Sequence, residues 1–332
     1  MTLPFSAGRA ALGWNRERLG GLVTLLVGGA GTSIVSSILT HAGQGDIVLT
    51  HVGGPQFLCR FASAPELDQL RLHAAQANWI AMVTLEAVVA AIGVVSSLVI
   101  IVSSGRMDRL WRVPVWWLVL GLGVAAVVRD ISLILEMRSS HAVHAFLSDL
   151  LSSLPDECAA VRKSVPLARL VGEPAGFALG IAMAANATFA LPPDAAKLAV
   201  RLRRLQHLLY LASVLFVVGI MVSRANFTFV LAHWIVSDDK VTKAIGDVVR
   251  AGTVQSGVGY SALLAVFFLP ARMVLAQYVD PLVPAAARED PRAKKKWLAA
   301  HELLGSWQKD AQQILALLAP LLSVPAFDAL VK

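Results

Sequence analysis

Charged residues are scarce in this chain. Aspartate, glutamate, lysine and arginine make up 15% of its 332 residues, whereas soluble domains contain about 25%. Hydrophobic residues account for 56%, and the mean hydropathy is +0.66. A water-soluble core cannot bury that much apolar surface, so the composition excludes an ordinary soluble domain and predicts a membrane protein.

The motifs of familiar soluble enzymes are absent as well. The sequence contains no Walker A loop, no G-x-G-x-x-G fingerprint, no nucleophile elbow, no H-E-x-x-H and no C-x-x-C. It therefore indicates no catalytic residue and no cofactor, and it favours a protein that is not an enzyme.

A metal site is not predicted either, although the histidines are unevenly distributed. His141 and His144 form the one tight pair, and two ligands fall short of the three or four that a metal site requires. Six of the eight histidines fall on the side predicted to lie outside the cell: His41, His51, His73, His141, His144 and His233.

Six apolar stretches approach or exceed the roughly 20 helical residues that cross a hydrocarbon core. Basic residues cluster before the first, between the second and third, after the fourth and after the sixth, and the positive-inside rule places those segments in the cytosol. The stretches lie near residues 21–40, 79–103, 115–137, 172–191, 205–223 and 257–279.

The predicted fold is therefore all-α: a polytopic integral membrane protein with a bundle of about six transmembrane helices within residues 21–291. Residues 1–20 and a helical C-terminal tail, residues 292–332, are expected in the cytosol, and the expected location is the bacterial inner (plasma) membrane. Periodicity leaves open whether residues 227–236 continue the fifth span.

The C-terminal tail contains an apolar run near residues 314–322 that is too short to span a bilayer. We expect it to form an amphipathic helix that packs on the membrane surface or on a partner. Because proline interrupts helices, Pro320 and Pro325 should end it early.

Partners follow from the position of the charge. The formal net charge is +7, but the basic residues stand beside apolar segments, where contact with anionic lipid explains them better than nucleic acid does. We expect a lipid bilayer as the main partner and no nucleic acid. A second copy of the chain and a cytosolic protein at the tail are further candidates.

Only two cysteines are present. Cys59 and Cys158 fall in the two longest loops predicted to lie outside, where an oxidising compartment permits a disulfide. The pattern favours a bridge between them, and two free thiols remain the alternative.

Charged side chains inside the apolar stretches are the most informative residues. Each costs about 2.5–3.5 kcal/mol on insertion scales, so Glu86, Arg129 and Asp130 need partners. Glu86 and Arg129 stand at similar depth in neighbouring antiparallel spans, which predicts an ion pair. Asp130 points elsewhere on its helix and needs a third partner, Arg224, or a water-filled cavity. The cluster either fixes helix register or lines a path for a substrate or ion.

Small residues recur at every fourth position in two stretches. Such faces let helix backbones approach closely, either for packing within the bundle or as a dimer interface or mobile seam. They comprise Gly29, Ser33 and Ser37 in the first stretch and Gly172, Gly176 and Gly180 in the fourth.

These patterns favour a transporter or channel-like protein whose path passes Glu86, Arg129, Asp130 and Arg224. The alternative is a membrane interaction or effector protein that assembles through its small-residue faces and binds a soluble partner through its tail.

Overall fold

A computed structural model describes residues 56–57, 66–103, 151, 154, 156–188, 194–235, 239–303 and 307–330. Several of the predictions above concern residues outside these ranges. They are the spans near 21–40 and 115–137, the face of Gly29, Ser33 and Ser37, and the residues Cys59, Arg129 and Asp130.

The described residues are helical apart from one minimal strand pair. The long helices are α1 (Glu66–Ser103), α2 (Ala159–Thr188), α3 (Ala195–Ala232) and α4 (Asp239–Gln277). They are followed by α5 (Val279–Leu282), α6 (Ala285–Arg288), α7 (Pro291–Ala300) and α8 (Trp307–Leu330). A 3-10 turn, Asp156–Cys158, precedes α2, and the two-residue strands β1 (Gln56–Phe57) and β2 (Trp234–Ile235) pair antiparallel.

Three helical stretches are long and apolar enough to cross a membrane: Gln69–Ile101, Ala195–Ala232 and Lys243–Leu282. They overlap the predicted spans near 79–103, 205–223 and 257–279. The span near 172–191 falls on a shorter apolar stretch within α2, Pro174–Ala187. A helical membrane protein is therefore supported, although only part of the six-span bundle lies in the described ranges.

Helix α3 is much longer than its predicted span. Its 38 residues reach about 57 Å, roughly twice the thickness of the hydrocarbon core. It begins where the Asp194 carboxylate accepts a hydrogen bond from the Ala196 N–H at 2.9 Å, an ordinary N-cap. It continues to Ala232, so residues 227–232 belong to the same helix as the predicted fifth span.

Contacts between helices fix their directions. Trp79 of α1 bonds Asn226 of α3, and a Cβ built on Gly93 of α1 would lie 3.3 Å from Leu179 of α2. At the far end, Asn186 of α2 bonds Arg201 of α3. Helices α1 and α2 therefore run parallel, and α3 runs antiparallel to both.

The remaining two long helices extend this pattern. Gly180 of α2 packs on Phe267 of α4. Gly176, one turn earlier, packs on Phe216, which stacks on Tyr260 of α4, so α4 runs parallel to α2. Arg272 of α4 bonds Asp310 of α8, and Gly257 packs on Pro320, so α8 runs antiparallel to α4. We name the two ends of the described bundle the His233 end and the Arg201 end.

The apolar core has two parts. The larger cluster lies among α1 to α4, with Leu179, Leu208 and Phe268 almost fully buried. The smaller one lies at the His233 end and contains Leu72, Cys158, Leu154, Phe227 and Val230. Burial of these apolar side chains holds the long helices together.

The expectation that Pro320 and Pro325 end the tail helix is wrong. Helix α8 runs without a break through both prolines to Leu330. A proline inside a helix costs about 3 kcal/mol, but α8 packs along α3 and α4, and this packing outweighs the penalty. The hydroxyl of Ser323 also donates to the Pro320 carbonyl at 2.7 Å.

Candidate functional site

Glu86 lies at the centre of the candidate span Gln69–Ile101 and faces the interior of the bundle. Its side chain is only 6% exposed. Other residues on the same face of α1, such as Ala75, Val89 and Gly93, are also buried, whereas the opposite face exposes large apolar side chains including Ile80, Val88 and Ile92. The helix thus turns its one mid-span carboxylate away from its apolar outer face.

Three helices surround the Glu86 carboxylate. A Cβ built on Gly172 of α2 would overlap Glu86 Oε1. A Cβ built on Gly219 of α3 would lie 3.4 Å from the same oxygen and 3.9 Å from the hydroxyl of Tyr260 on α4. The two glycines therefore leave the space that this carboxylate occupies, since any larger residue at Gly172 would displace it.

An aromatic pair closes the site beside Gly219. The rings of Phe216 on α3 and Tyr260 on α4 stack with centroids 4.7 Å apart and planes 7° apart. Phe216 also packs on Gly176 of α2, where a built Cβ would lie 3.1 Å from the ring. The carboxylate is therefore enclosed by apolar and aromatic groups.

The charge on Glu86 is not balanced by the described residues. Its Oε2 has no hydrogen-bond partner among them, whereas the equally buried Ser97 hydroxyl on the same helix donates to the Gly93 carbonyl at 2.7 Å. Burying an unpaired carboxylate is costly, so such a group takes up a proton or finds a partner.

The predicted charged cluster of Glu86, Arg129, Asp130 and Arg224 is only partly within the described residues. Arg129 and Asp130 lie outside the described residues, so the ion pair with Arg129 stays a prediction. Arg224 lies on α3, five residues beyond Gly219 toward the His233 end, and is half-buried. Within the described helices, the structure gives no ion pair between it and Glu86.

The glycine face of α2 packs inside the bundle. Gly172, Gly176 and Gly180 receive Glu86, Phe216 and Phe267, which come from three different helices of the same chain. The spacing predicted close approach, but only the fold reveals which side chains fill it. This face is occupied by the chain itself and is not open to a second copy.

Aromatic residues that the sequence did not single out cluster at the His233 end. The Trp79 indole N–H donates to Asn226 Oδ1 at 2.6 Å, and its ring stacks on Phe229 at 5.0 Å. Phe229 in turn meets His233 edge-on. The tryptophan at the start of an apolar stretch was a usable signal, because such residues often mark the membrane interface.

His233 is buried and bonded to its own helix. Its Nδ1 lies 2.8 Å from the Phe229 carbonyl oxygen. Burial lowers the pKa of the imidazole, and the bond to the carbonyl opposes part of that shift. Among the described residues, no three histidine, cysteine or acidic side chains come together in a way that could hold a metal ion.

Polar contacts tie the helices together at the Arg201 end. Asn186 Nδ2 donates to the Arg201 carbonyl at 2.8 Å, which joins α2 to α3. Arg272 and Asp310 join α4 to α8 at 2.5 Å, and Arg203 pairs with Glu302. The ion pairs depend on residues far apart in sequence and were not predicted.

Cys158, which is predicted to form a disulfide with Cys59, is buried in the smaller core cluster at the His233 end.

Comparison with known proteins adds no functional assignment: the chain matches no family model, and no curated protein or solved structure matches it.

Proposed function

We propose that this chain is a multi-pass membrane transport protein, a transporter or channel, whose path for a substrate or ion passes Glu86. One observation carries the proposal: the Glu86 carboxylate lies at the middle of an apolar helix, between three other helices, and one of its oxygens has no partner among the described residues. Ionisable groups in membrane spans are rare and typically mark such paths.

The contacts of Glu86 favour this role over a purely structural one. A carboxylate that fixes helix register does so through hydrogen bonds or ion pairs, as Asn186 does with Arg201. The described surroundings of Glu86 supply two glycines and an aromatic stack. They provide space for the group and nothing that holds its charge in place.

The orientation we propose follows the distribution of charge. The Arg201 end carries the basic segments that flank the spans, and the positive-inside rule assigns this end to the cytosol. We propose the bacterial inner membrane as the location, with residues 1–20 and the start of the C-terminal tail in the cytosol. Helix α8 starts at the Arg201 end and runs antiparallel to α4 past Gly257, so in this orientation its end at Leu330 points toward the outer side, and the expectation that the whole tail is cytosolic is not retained. The residues concerned are Lys197, Arg201, Arg203, Arg204, Arg288, Arg292, Lys294, Lys295 and Lys296.

A disulfide between Cys59 and Cys158 belongs to the same proposal. The strand residue Phe57 precedes Cys59 by two positions and pairs with Trp234. Trp234 follows Phe229, Val230 and Ala232, which share a buried cluster with Cys158. Cys158 and the strand that precedes Cys59 in sequence therefore lie at the His233 end, and we propose that Cys59 lies on the same, outer side, where oxidation is permitted.

Transport is tested by reconstituting the full chain into liposomes. The internal pH is followed with a trapped dye, and uptake of radioactive sodium is followed in parallel, while a potassium gradient with valinomycin sets the membrane potential. We expect flux of one of these ions above that of protein-free liposomes, and its loss in Glu86→Gln. Glu289→Gln, which alters an exposed glutamate in the same way, should behave as wild type. Equal flux in wild type and Glu86→Gln would contradict the proposal.

The alternative is a membrane protein that assembles with a partner through α8. The exposed apolar residues Ile314, Leu315, Leu318 and Leu322 on this helix favour it. Light scattering of the detergent-solubilised protein separates the two functions. Absence of ion flux, together with a stable assembly that Leu315→Lys dissociates, would support the alternative.

A further inference from the structure

The space around Glu86 limits what it can bind. The carboxylate touches Gly172 and Gly219, the Phe216–Tyr260 stack lies beside it, and its side chain is almost fully buried. A metal cation of the calcium or magnesium type needs about six oxygen ligands, whereas a carboxylate supplies two. A proton needs one oxygen atom and no cavity, so it fits the described site.

A row of buried polar side chains approaches Glu86 from the Arg201 end. Helices α4 and α8 meet at two contacts, Arg272 with Asp310 and Gly257 with Pro320. Between these contacts lie Ser261 on α4 and Gln313 on α8, and both are more than nine-tenths buried. The row therefore starts at the half-exposed Asp310 and leads into the bundle.

The two buried residues of the row, Ser261 and Gln313, each have a polar atom without a hydrogen bond to the described residues. Ser261 Oγ and Gln313 Oε1 have no hydrogen-bond partner in the described part of the chain. Buried polar atoms are normally satisfied, and where the protein does not satisfy them an ordered water usually does. Two such atoms along one helix interface favour water molecules between α4 and α8.

At its inner end the row reaches the residue next to Tyr260, which borders the carboxylate. Ser261 follows Tyr260, whose hydroxyl approaches Gly219 from α4 while Glu86 approaches it from α1. Of the described residues that contact the site from α2, α3 and α4, namely Gly172, Gly219 and Tyr260, only Tyr260 is titratable. Arg272 and Asp310 carry the charges at the entrance of the row.

Resting on the transport function proposed above, we infer that Glu86 binds and releases a proton, and that this proton exchanges with the Arg201 end through Gln313 and Ser261. In the bound form an O–H bond exists on a Glu86 carboxyl oxygen. In the released form the proton has passed to water in the row, and the carboxylate is left. No other bond changes, and no oxidant or reductant is involved.

Infrared spectroscopy of the reconstituted full chain tests both parts. Protonated Glu86 should give a carboxylic acid carbonyl band that is absent in Glu86→Gln. After rapid mixing with D₂O, the band shifts as the proton is replaced. Gln313→Leu and Ser261→Ala should each slow this shift about tenfold, the effect of one lost hydrogen bond on a rate. Gln312→Leu, on the exposed side of α8, is the matched control and should exchange as wild type.

Each outcome decides one claim. A band that persists in Glu86→Gln would overturn the assignment of the proton to Glu86. Equal exchange rates in Gln313→Leu and Gln312→Leu would overturn the route. If Gln313→Leu does not fold, an exchange rate in Ser261→Ala equal to that of Gln312→Leu would overturn it. A Glu86 band with slowed exchange in Gln313→Leu but no ion flux into liposomes would contradict transport and support proton binding.

Discussion

Gly172 of α2 lies directly against the carboxylate of Glu86, so closely that a single methyl group at Gly172 would overlap Oε1. Glycine at this position thus provides the space for the carboxylate. Because the atom displaced is the end of a flexible side chain, a small substituent is tolerated better than a large one.

Gly172→Leu should therefore push Glu86 out of its position and destabilise the bundle by about 1–3 kcal/mol, the usual cost of overpacking. Thermal unfolding in detergent measures this loss. Gly246→Ala is the control, because nothing lies within 4 Å of its built Cβ and alanine favours the helix by up to about 1 kcal/mol. Equal unfolding temperatures for the two variants would contradict the contact.

Gly257 joins α4 to α8 through backbone atoms. A Cβ there would lie 3.0 Å from the Pro320 oxygen and 3.1 Å from Leu321 Cα, and a backbone cannot rotate away as a side chain can. Gly257→Leu should thus separate α8 from α4, at a cost of about 1–3 kcal/mol or more. Limited proteolysis should then cleave α8 faster than in Gly246→Ala. If α8 of Gly257→Leu resisted proteolysis as well as α8 of wild type does, the packing of α8 would not depend on this contact.

The pair of Arg272 and Asp310 fixes the register of the same two helices. Both side chains are partly exposed, so their coupling should be modest, about 0.2–1 kcal/mol. A double-mutant cycle with Arg272→Ala and Asp310→Ala, read by thermal unfolding, measures it. The exchanged pair, Arg272→Asp with Asp310→Arg, should recover stability that each single reversal loses. If the stability losses of the single variants were additive and the exchanged pair recovered none of the stability, the two side chains would not interact.

Part of this architecture could be read from the sequence. Hydropathy located the three long apolar helices and marked Glu86 as a buried charge, because a charge within an apolar run is a local property. The spacing of Gly172, Gly176 and Gly180 predicted close packing for the same reason. What each glycine contacts depends on helices up to about a hundred residues away in the chain, which no local pattern encodes.

The prolines show where local propensity misleads. Pro320 and Pro325 predict the end of a helix, yet α8 continues because its packing on α3 and α4 outweighs the local penalty. The length of α3 was underestimated for a related reason. Hydropathy detects only the part of a helix that the bilayer requires to be apolar, and α3 continues beyond it at both ends.

Acidification should destabilise the His233 end. Burial lowers the pKa of His233 in the folded chain below the value near 6.5 of an unfolded chain. At a pH between the folded and the unfolded pKa, the unfolded state therefore binds more protons than the folded state. The free energy of unfolding then falls as the pH drops below about 6.5 and levels off below the folded pKa. Unfolding temperatures measured from about pH 7.5 to about pH 5 should show this slope.

A matched pair of variants isolates the contribution of His233. His233→Gln should flatten the slope, whereas His207→Gln, at an exposed position of α3, should retain it. An unchanged slope in His233→Gln would assign the acid sensitivity to other groups.

The central claim is that a carboxylate at position 86 carries ion movement through the bundle. Its most direct measurement is the initial rate of proton entry into liposomes containing wild type, Glu86→Asp or Glu86→Gln at equal protein density. The account predicts reduced but measurable flux for Glu86→Asp, which keeps an ionisable group, and the protein-free rate for Glu86→Gln. Flux in Glu86→Gln equal to that of wild type would contradict it.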